Sequence, residues 1–171
     1  MKTPLILMAS LILFLFACSE TQSSKFKDDG VSLTIPKGWQ ITDQENMNHQ
    51  GYLLSIEKDG FDSSGLVTMT WINAEIDLNE WKTNYKEDFL NNIIYENSNL
   101  VFEDPTEDHY NNINCTSIKF NASLLGIEHD GVIYFFYEEY KTFAILVQQA
   151  TEDAMVNKPG FDIIEKSFEI E

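Results

Sequence analysis

Val132-Ile-Tyr-Phe-Phe-Tyr137 and Phe143-Ala-Ile-Leu-Val147 are two short runs that are apolar on both faces. Side chains of an extended chain leave alternate faces, so a strand with one wet face carries a polar residue at every second position. These two runs carry almost none. They belong in the middle of a sheet covered on each side, and such a sheet asks for a second layer of packing elements. Glu138 to Thr142 joins the two runs.

Working outward, Gly126-Ile-Glu-His-Asp-Gly131 contains an Asp-Gly pair suited to a tight hairpin. It leads back to a strand over Ile113 to Ala122, with Ile118, Phe120 and Ala122 on one face. Glu103 to Asn112 reads as a turn-rich acidic loop, and Leu100 to Phe102 as a short strand. Upstream, Asp77 stands at a helix N-cap with Glu80 three residues on, a capping-box pattern. Leu78, Trp81, Tyr85, Phe89 and Ile93 then recur at helical spacing, which predicts one stripe packed on the sheet and a helix ending near residue 96 at Asn97-Ser98-Asn99. A partner-binding groove is the alternative use of that stripe.

The N-terminal half reads as an antiparallel meander. Val31-Ser-Leu-Thr-Ile-Pro36 alternates and stops at proline, and Lys37-Gly38 turns into Trp39-Gln-Ile41, either as a hairpin or as a strand with a sharp corner. Asp43 to Gln50 reads as a polar loop. Tyr52, Leu54 and Ile56 share a face of the next strand, and Val67, Met69 and Trp71 a face of the one after. In the tail, Thr151 to Val156 suits a turn of helix. Pro159 suits the start of another, in which Phe161, Ile164 and Phe168 fall at i, i+3 and i+7. The predicted order is strands, helix, strands, helix.

Val31-Ser-Leu-Thr-Ile-Pro-Lys-Gly-Trp39 resembles the opening strand and Pro-x-Gly-Trp corner of the PsbP-like superfamily, which includes DcrB-like envelope proteins. Phe161-Asp-Ile-Ile-Glu-Lys-Ser-Phe168 resembles its closing helix. The resemblance implies an α+β fold, a mainly antiparallel sheet sandwiched by helices. Members include photosystem accessory subunits, a Ran-binding nuclear-import protein, bacterial envelope lipoproteins and secretion adaptor chaperones. They bind other proteins and share no catalytic residues, so the resemblance implies a protein partner and no chemistry.

The beginning of the chain carries an address. Lys2 is a short positive region, Pro4 to Ala17 is nearly unbroken apolar sequence too short to span a bilayer, and Leu15-Phe16-Ala17-Cys18 resembles a bacterial lipobox. That resemblance implies cleavage before Cys18 and acylation of its thiol, and hence a membrane-anchored palmitate-bearing lipoprotein of the bacterial cell envelope. The expected organisation is a signal peptide over 1–17, the lipidated Cys18 with a flexible tether over 18–29, and an α+β domain over 30–171. Ser19 to Asp29 is the tether because it is polar and nearly free of large apolar side chains.

Composition excludes several classes. The formal net charge is −17, and every one of the 11 basic residues is a lysine. Such a chain is unsuited to neutralising phosphates, so no nucleic acid partner is expected. If Cys18 carries lipid, Cys115 has no intramolecular partner and reads as a small core residue. His49, His109 and His129 pair with no second ligand at metal spacing. Asp59 and Asp62 with Ser64, or Asp104, Glu107 and Asp108, are weak calcium candidates that lack EF-hand spacing. No catalytic residues, no cofactor and no other metal site are read. The sequence therefore points to a non-catalytic, lipid-anchored protein-binding module. The alternatives are an immunity-type protein neutralising a cationic toxin, suggested by the charge, and a small-ligand carrier or hydrolase working in a cleft.

Overall fold

A computed structural model describes residues 22–60 and 63–171. The signal peptide expected over 1–17 and the lipidation expected at Cys18 lie outside the described residues. In chain order the elements are β1 (Ser24–Asp28), β2 (Val31–Ile35), β3 (Trp39–Asn46), β4 (Gly51–Lys58), β5 (Leu66–Ile72), α1 (Leu78–Asn91), β6 (Val101–Phe102) and β7 (Thr106–Tyr110). There follow β8 (Ile113–Leu124), β9 (Ile127–Glu138), β10 (Lys141–Ala150), a 3-10 turn (Thr151–Asp153), α2 (Ala154–Lys166) and β11 (Glu169–Ile170).

The two doubly apolar runs are β9 and β10, paired to each other inside a large antiparallel sheet of order β3-β4-β5-β10-β9-β8-β6, with β7 also on β8. The alternation of β10 divides the core in two. Phe143 and Ile145 point with Val67, Met69 and Trp71 into a cluster closed by Ile164 and Phe168 from the α2 end of the chain. Ala144 and Leu146 point with Ile118, Phe120, Ile133 and Phe135 into a second cluster closed by Leu78, Trp81, Tyr85 and Phe89 of α1. The α+β class expected from the sequence is what the structure has. The second layer is shared, however: α2 lies beside a three-stranded sheet of order β1-β2-β11.

That small sheet corrects the tether. Residues 24–28 are a strand paired along its whole length with β2, and Phe26 is buried in the core. Asp29-Gly30 is a two-residue hairpin turn with both residues at positive φ (44° and 74°). This is the conformation for which Asp-Gly is suited. Asp130-Gly131, the pair expected to turn, instead lies within β9, and Leu125-Gly126 makes the turn between β8 and β9. Gly131 faces Phe120 across the ladder, and a Cβ there would lie 2.1 Å from the ring. Glycine at 131 makes room for an aromatic ring rather than bending the chain.

The corner at Pro36 is a crossing between sheets, not a hairpin, since β2 and β3 belong to different ones. Trp39 N–H donates to Pro36 O at 3.1 Å. The indole lies in a slot between Gly65 and Gly160, where a Cβ at either position would stand 2.5 Å from the ring, and Phe161 meets it edge-on at 5.2 Å. The corner therefore clamps α2 to the β4–β5 end of the large sheet. Pro159 is inside α2 rather than at its start, so the tail is one helix from Ala154.

Two polar stretches read as loops are edge strands. β3 runs through Asn46 with nearly every residue exposed, and β7 lies within Glu103–Asn112 and buries Tyr110. The helix also differs. Asp77 caps it as expected, accepting from Asn79 N at 2.8 Å and Glu80 N at 3.0 Å, but α1 ends at Asn91. Asn92 is extended, and its Oδ1 accepts from Ile94 N at 2.9 Å, a local turn that competes with helix continuation.

Asp29 also pins the two sheets together. Its Oδ2 accepts from Trp71 Nε1 at 2.7 Å and Asn73 Nδ2 at 3.0 Å, and Lys141 Nζ stands 3.6 Å away while donating to Asn73 Oδ1 at 2.5 Å. The Asp29 and Lys141 side chains are only 10% and 12% exposed. Burial alone raises the Asp29 pKa, but the hydrogen bonds from Asn73 and Trp71 and the Lys141 charge together outweigh it and hold the carboxyl below its ordinary value. A depressed carboxyl stabilises the fold above its unfolded pKa, and that contribution is lost as pH falls through the folded value. Asp29→Asn is expected to cost about 3 kcal/mol at pH 7, because it leaves the Lys141 charge buried. Urea unfolding across pH should also show a flatter acid dependence for the variant than for the unaltered chain.

Candidate functional site

A cavity of about 540 Å³ opens where β7, β8 and the end of β9 meet the start of α1. Its wall includes Cys115, His109, Asp108, Glu107 and Leu78, so it holds the residue types of a thiol nucleophile with a base. Strand parity separates them. Asp108 is paired with Cys115 across the ladder, whereas His109 is paired with Asn114 and projects from the opposite face. The imidazole cannot take a proton from that thiol, and the same alternation parts Glu107 from Asp108.

Electrostatics point the same way. Cys115 is half-buried beside the α2-side cluster, and burial, then Asp108 and Glu165, push its thiol up to about 12. A nucleophilic cysteine needs a depressed pKa and a nearby cation. Tyr134 and Tyr110, on the same face of the sheet, are also pushed up, chiefly by burial. On the α1 face, Tyr95 donates to Gln148 Oε1 at 2.6 Å, and Gln148 Nε2 lies 3.4 Å from His129 Nδ1. Burial lowers the His129 pKa against the opposing charges of Asp130, Asp153 and Glu128. This polar chain closes the edge of the α1-side core.

Of the calcium candidates, Asp59 and Ser64 have partners of their own among the described residues. Asp59 donates its N–H to Gly38 O at 2.8 Å and accepts from Ser63 Oγ at 2.8 Å through its own backbone oxygen. Asp62 lies outside the described residues. Ser64 Oγ instead donates to Asp153 and accepts from Ala150 N at 2.9 Å, tying its loop to the start of α2. No group of three or more potential metal ligands occurs among the described residues.

Two surfaces remain. Beside α2, Val132, Val147 and Phe161 line an apolar cavity of about 220 Å³, and a neighbouring one of about 180 Å³ shares Val147 and Phe161. At the far end of α1, Leu90, Ile93 and Ile94 are exposed. Sequence spacing assigned Ile93 to the buried stripe; Asn91-Asn92 was the signal that the helix stops first.

No protein-family model matches this chain, and no curated protein sequence does. Among solved structures, the cyanobacterial PsbP (CyanoP) of Synechocystis sp. PCC 6803 superposes with a TM-score of 0.58 at 10% identity, covering 91% of this chain and 96% of that one. The fold is PsbP-like. A protein of Bacteroides thetaiotaomicron VPI-5482 superposes with a TM-score of 0.56 at 11% identity, covering 88% of this chain but 49% of that one. LpqN, involved in cell envelope biogenesis of Mycobacterium tuberculosis, gives 0.45 at 10% identity over 87% of this chain and 90% of that one, a likeness too remote to carry an argument.

The thiol chemistry is directly measurable. With Cys18→Ser making Cys115 the single thiol, iodoacetamide at pH 8 is expected to alkylate the folded protein on the order of a hundredfold or more slowly than the urea-unfolded chain. The folded rate should climb without a plateau to at least pH 11.

Proposed function

We propose that this protein is a non-catalytic, lipid-anchored module of the bacterial cell envelope that holds another protein near a membrane face. The observation that carries the non-catalytic part is the register at the cavity beside β7 and β8, which turns the histidine away from a thiol whose pKa burial raises. The PsbP-like fold supports the reading without assigning a partner. No helix among the described residues is long and apolar enough to cross a membrane. The anchor therefore rests on Leu15-Phe16-Ala17-Cys18, and two or three acyl chains on Cys18 would hold the domain stably at a bilayer. With β1 beginning at Ser24, the leash left between lipid and domain is short.

Metabolic labelling with a fatty-acid probe tests the anchor. The unaltered chain should take up label and sediment with membranes, and Cys18→Ser should lose the label and move to the soluble fraction. A serine variant that stays with membranes, or an unaltered chain that carries no fatty acid, contradicts the reading.

A further inference from the structure

We infer that the end of the domain at which the chain enters it rests on the bilayer, where aliphatic side chains from three separate segments meet the boundary between headgroups and acyl chains. The inference rests on the lipid anchor proposed above and adds to it a contact between the folded body and the membrane.

The strand registers define that end. Leu124 pairs with Ile127 at the tip of the β8–β9 hairpin, His129 with Ala150 at the close of β10, and Gln148 with Leu66 at the start of β5. Leu66 pairs with Glu57, and Lys58 with Trp39, which carries the same end across β4 to β3. Trp39 N–H donates to Pro36 O, and Ile35, just before it, pairs with Ser24 at the start of β1. The chain leading from Cys18 therefore enters at the end of the domain that holds the β8–β9 tip. The opposite end holds the β9–β10 turn at Glu139-Tyr140.

Exposed aliphatics gather at the end where the chain enters. Leu125 at the hairpin tip is fully exposed, and Ile127 beside it is 47% exposed. The start of α2, which follows β10 through the 3-10 turn, bears Met155 and Val156, 89% and 64% exposed. The tip and the 3-10 turn face each other across a cavity of about 390 Å³ whose walls include Gly126, Ile127, Thr151 and Glu152. The third segment follows α1: Ile93 and Ile94 are 80% and 64% exposed, and Ser123 N of β8 donates to Ser98 O at 2.6 Å, which fastens the segment beside Leu124. Isolated exposed aliphatics need no explanation, but sets of them gathered at one end of a domain mark a contact surface.

The length of the leash identifies the occupant. Ser24 comes six residues after Cys18, so the acylated thiol stays within about 20 Å of the start of β1 even when the chain between them is fully extended. β10 alone is ten residues long, about 30 Å at the rise of a strand. The leash is shorter than the domain, so the bilayer stays close to the end bearing Leu125, Ile93 and Met155, while the Tyr140 end is held away from it. Charge narrows the lipid. Glu96, Glu128 and Glu152 are exposed among these aliphatics and repel anionic headgroups, with Lys25 and Lys37 exposed nearer the start of β1. The surface fits zwitterionic headgroups, with its aliphatics reaching the acyl boundary as those of an interfacial anchor do.

Site-specific photocrosslinking in cells making the full chain tests this. A benzoylphenylalanine is placed at Leu125, Ile93 or Met155, with Tyr140, 81% exposed at the opposite end, as the comparison position. Lipid adducts, read by mass spectrometry, are expected from 125, 93 and 155 at no less than five times the yield from 140. With the probe at Met155, Leu125→Asp should lower the lipid yield at least threefold while the fatty-acid label on Cys18 persists. In vesicles carrying the purified acylated chain, replacing half of the phosphatidylcholine by phosphatidylglycerol should lower the yield as well. An equal lipid yield from 140, no lipid adduct from any position, protein adducts in place of lipid, a yield indifferent to Leu125→Asp, or one that does not fall with phosphatidylglycerol overturns the inference. In each of those cases the proposed anchor stands as long as Cys18 carries label. A chain that bears no fatty acid overturns both.

Discussion

Two neighbouring strands that are apolar on both faces set the terms for the rest of this molecule. β9 and β10 carry Ile133, Phe135, Phe136, Phe143, Ala144, Ile145 and Leu146, all buried. At roughly 25 cal/mol per Å² of apolar surface removed from water, leaving either face open would forfeit several kcal/mol, comparable with the whole stability of a domain. Each face must therefore be covered. The chain does this with unlike pieces: one amphipathic helix on one side, and on the other a second helix combined with a three-stranded sheet built from its two ends. The N-terminal strand, its Asp-Gly turn and the closing β11 belong to that cover.

Much of this was legible from side-chain alternation. The central pair, the buried faces of β4, β5 and β8, the N-cap at Asp77 and the α+β class follow from period and composition. The misread elements share a cause. β3 and β7 are edge strands, and a strand wetted on one face and along one edge has the composition of a loop. Residues 24–28 contain one large apolar side chain, Phe26, and a single buried residue gives no period to detect. The Asp-Gly pairs at 29–30 and 130–131 are alike in sequence, and what separates them is distant: Phe120 requires the glycine at 131, whereas Trp71, Asn73 and Lys141 hold the carboxylate at 29.

The candidate sites divide along the same line. That Cys115 and the histidines lack a catalytic spacing was readable, but what parts thiol from imidazole at the cavity beside β7 and β8 is geometric. The β7–β8 register places thiol and imidazole on opposite faces, and neighbouring carboxylates reinforce the protonated thiol. The surface at the end of α1 was hidden by its own periodicity, since Ile93 continues the heptad-like stripe. Helix termination at Asn91-Asn92 turned a core position into a surface one.

If both faces of β9 and β10 depend on their covers, α1 and β2 open together with the central strands and not before them. Native-state amide hydrogen exchange measures this residue by residue. Protected amides of Trp81–Phe89 and Val31–Ile35 are expected to exchange with opening free energies within about 1 kcal/mol of those in β9 and β10, as one cooperative unit. Rapid exchange throughout β2 or α1 while β9 and β10 keep their full protection would contradict the account.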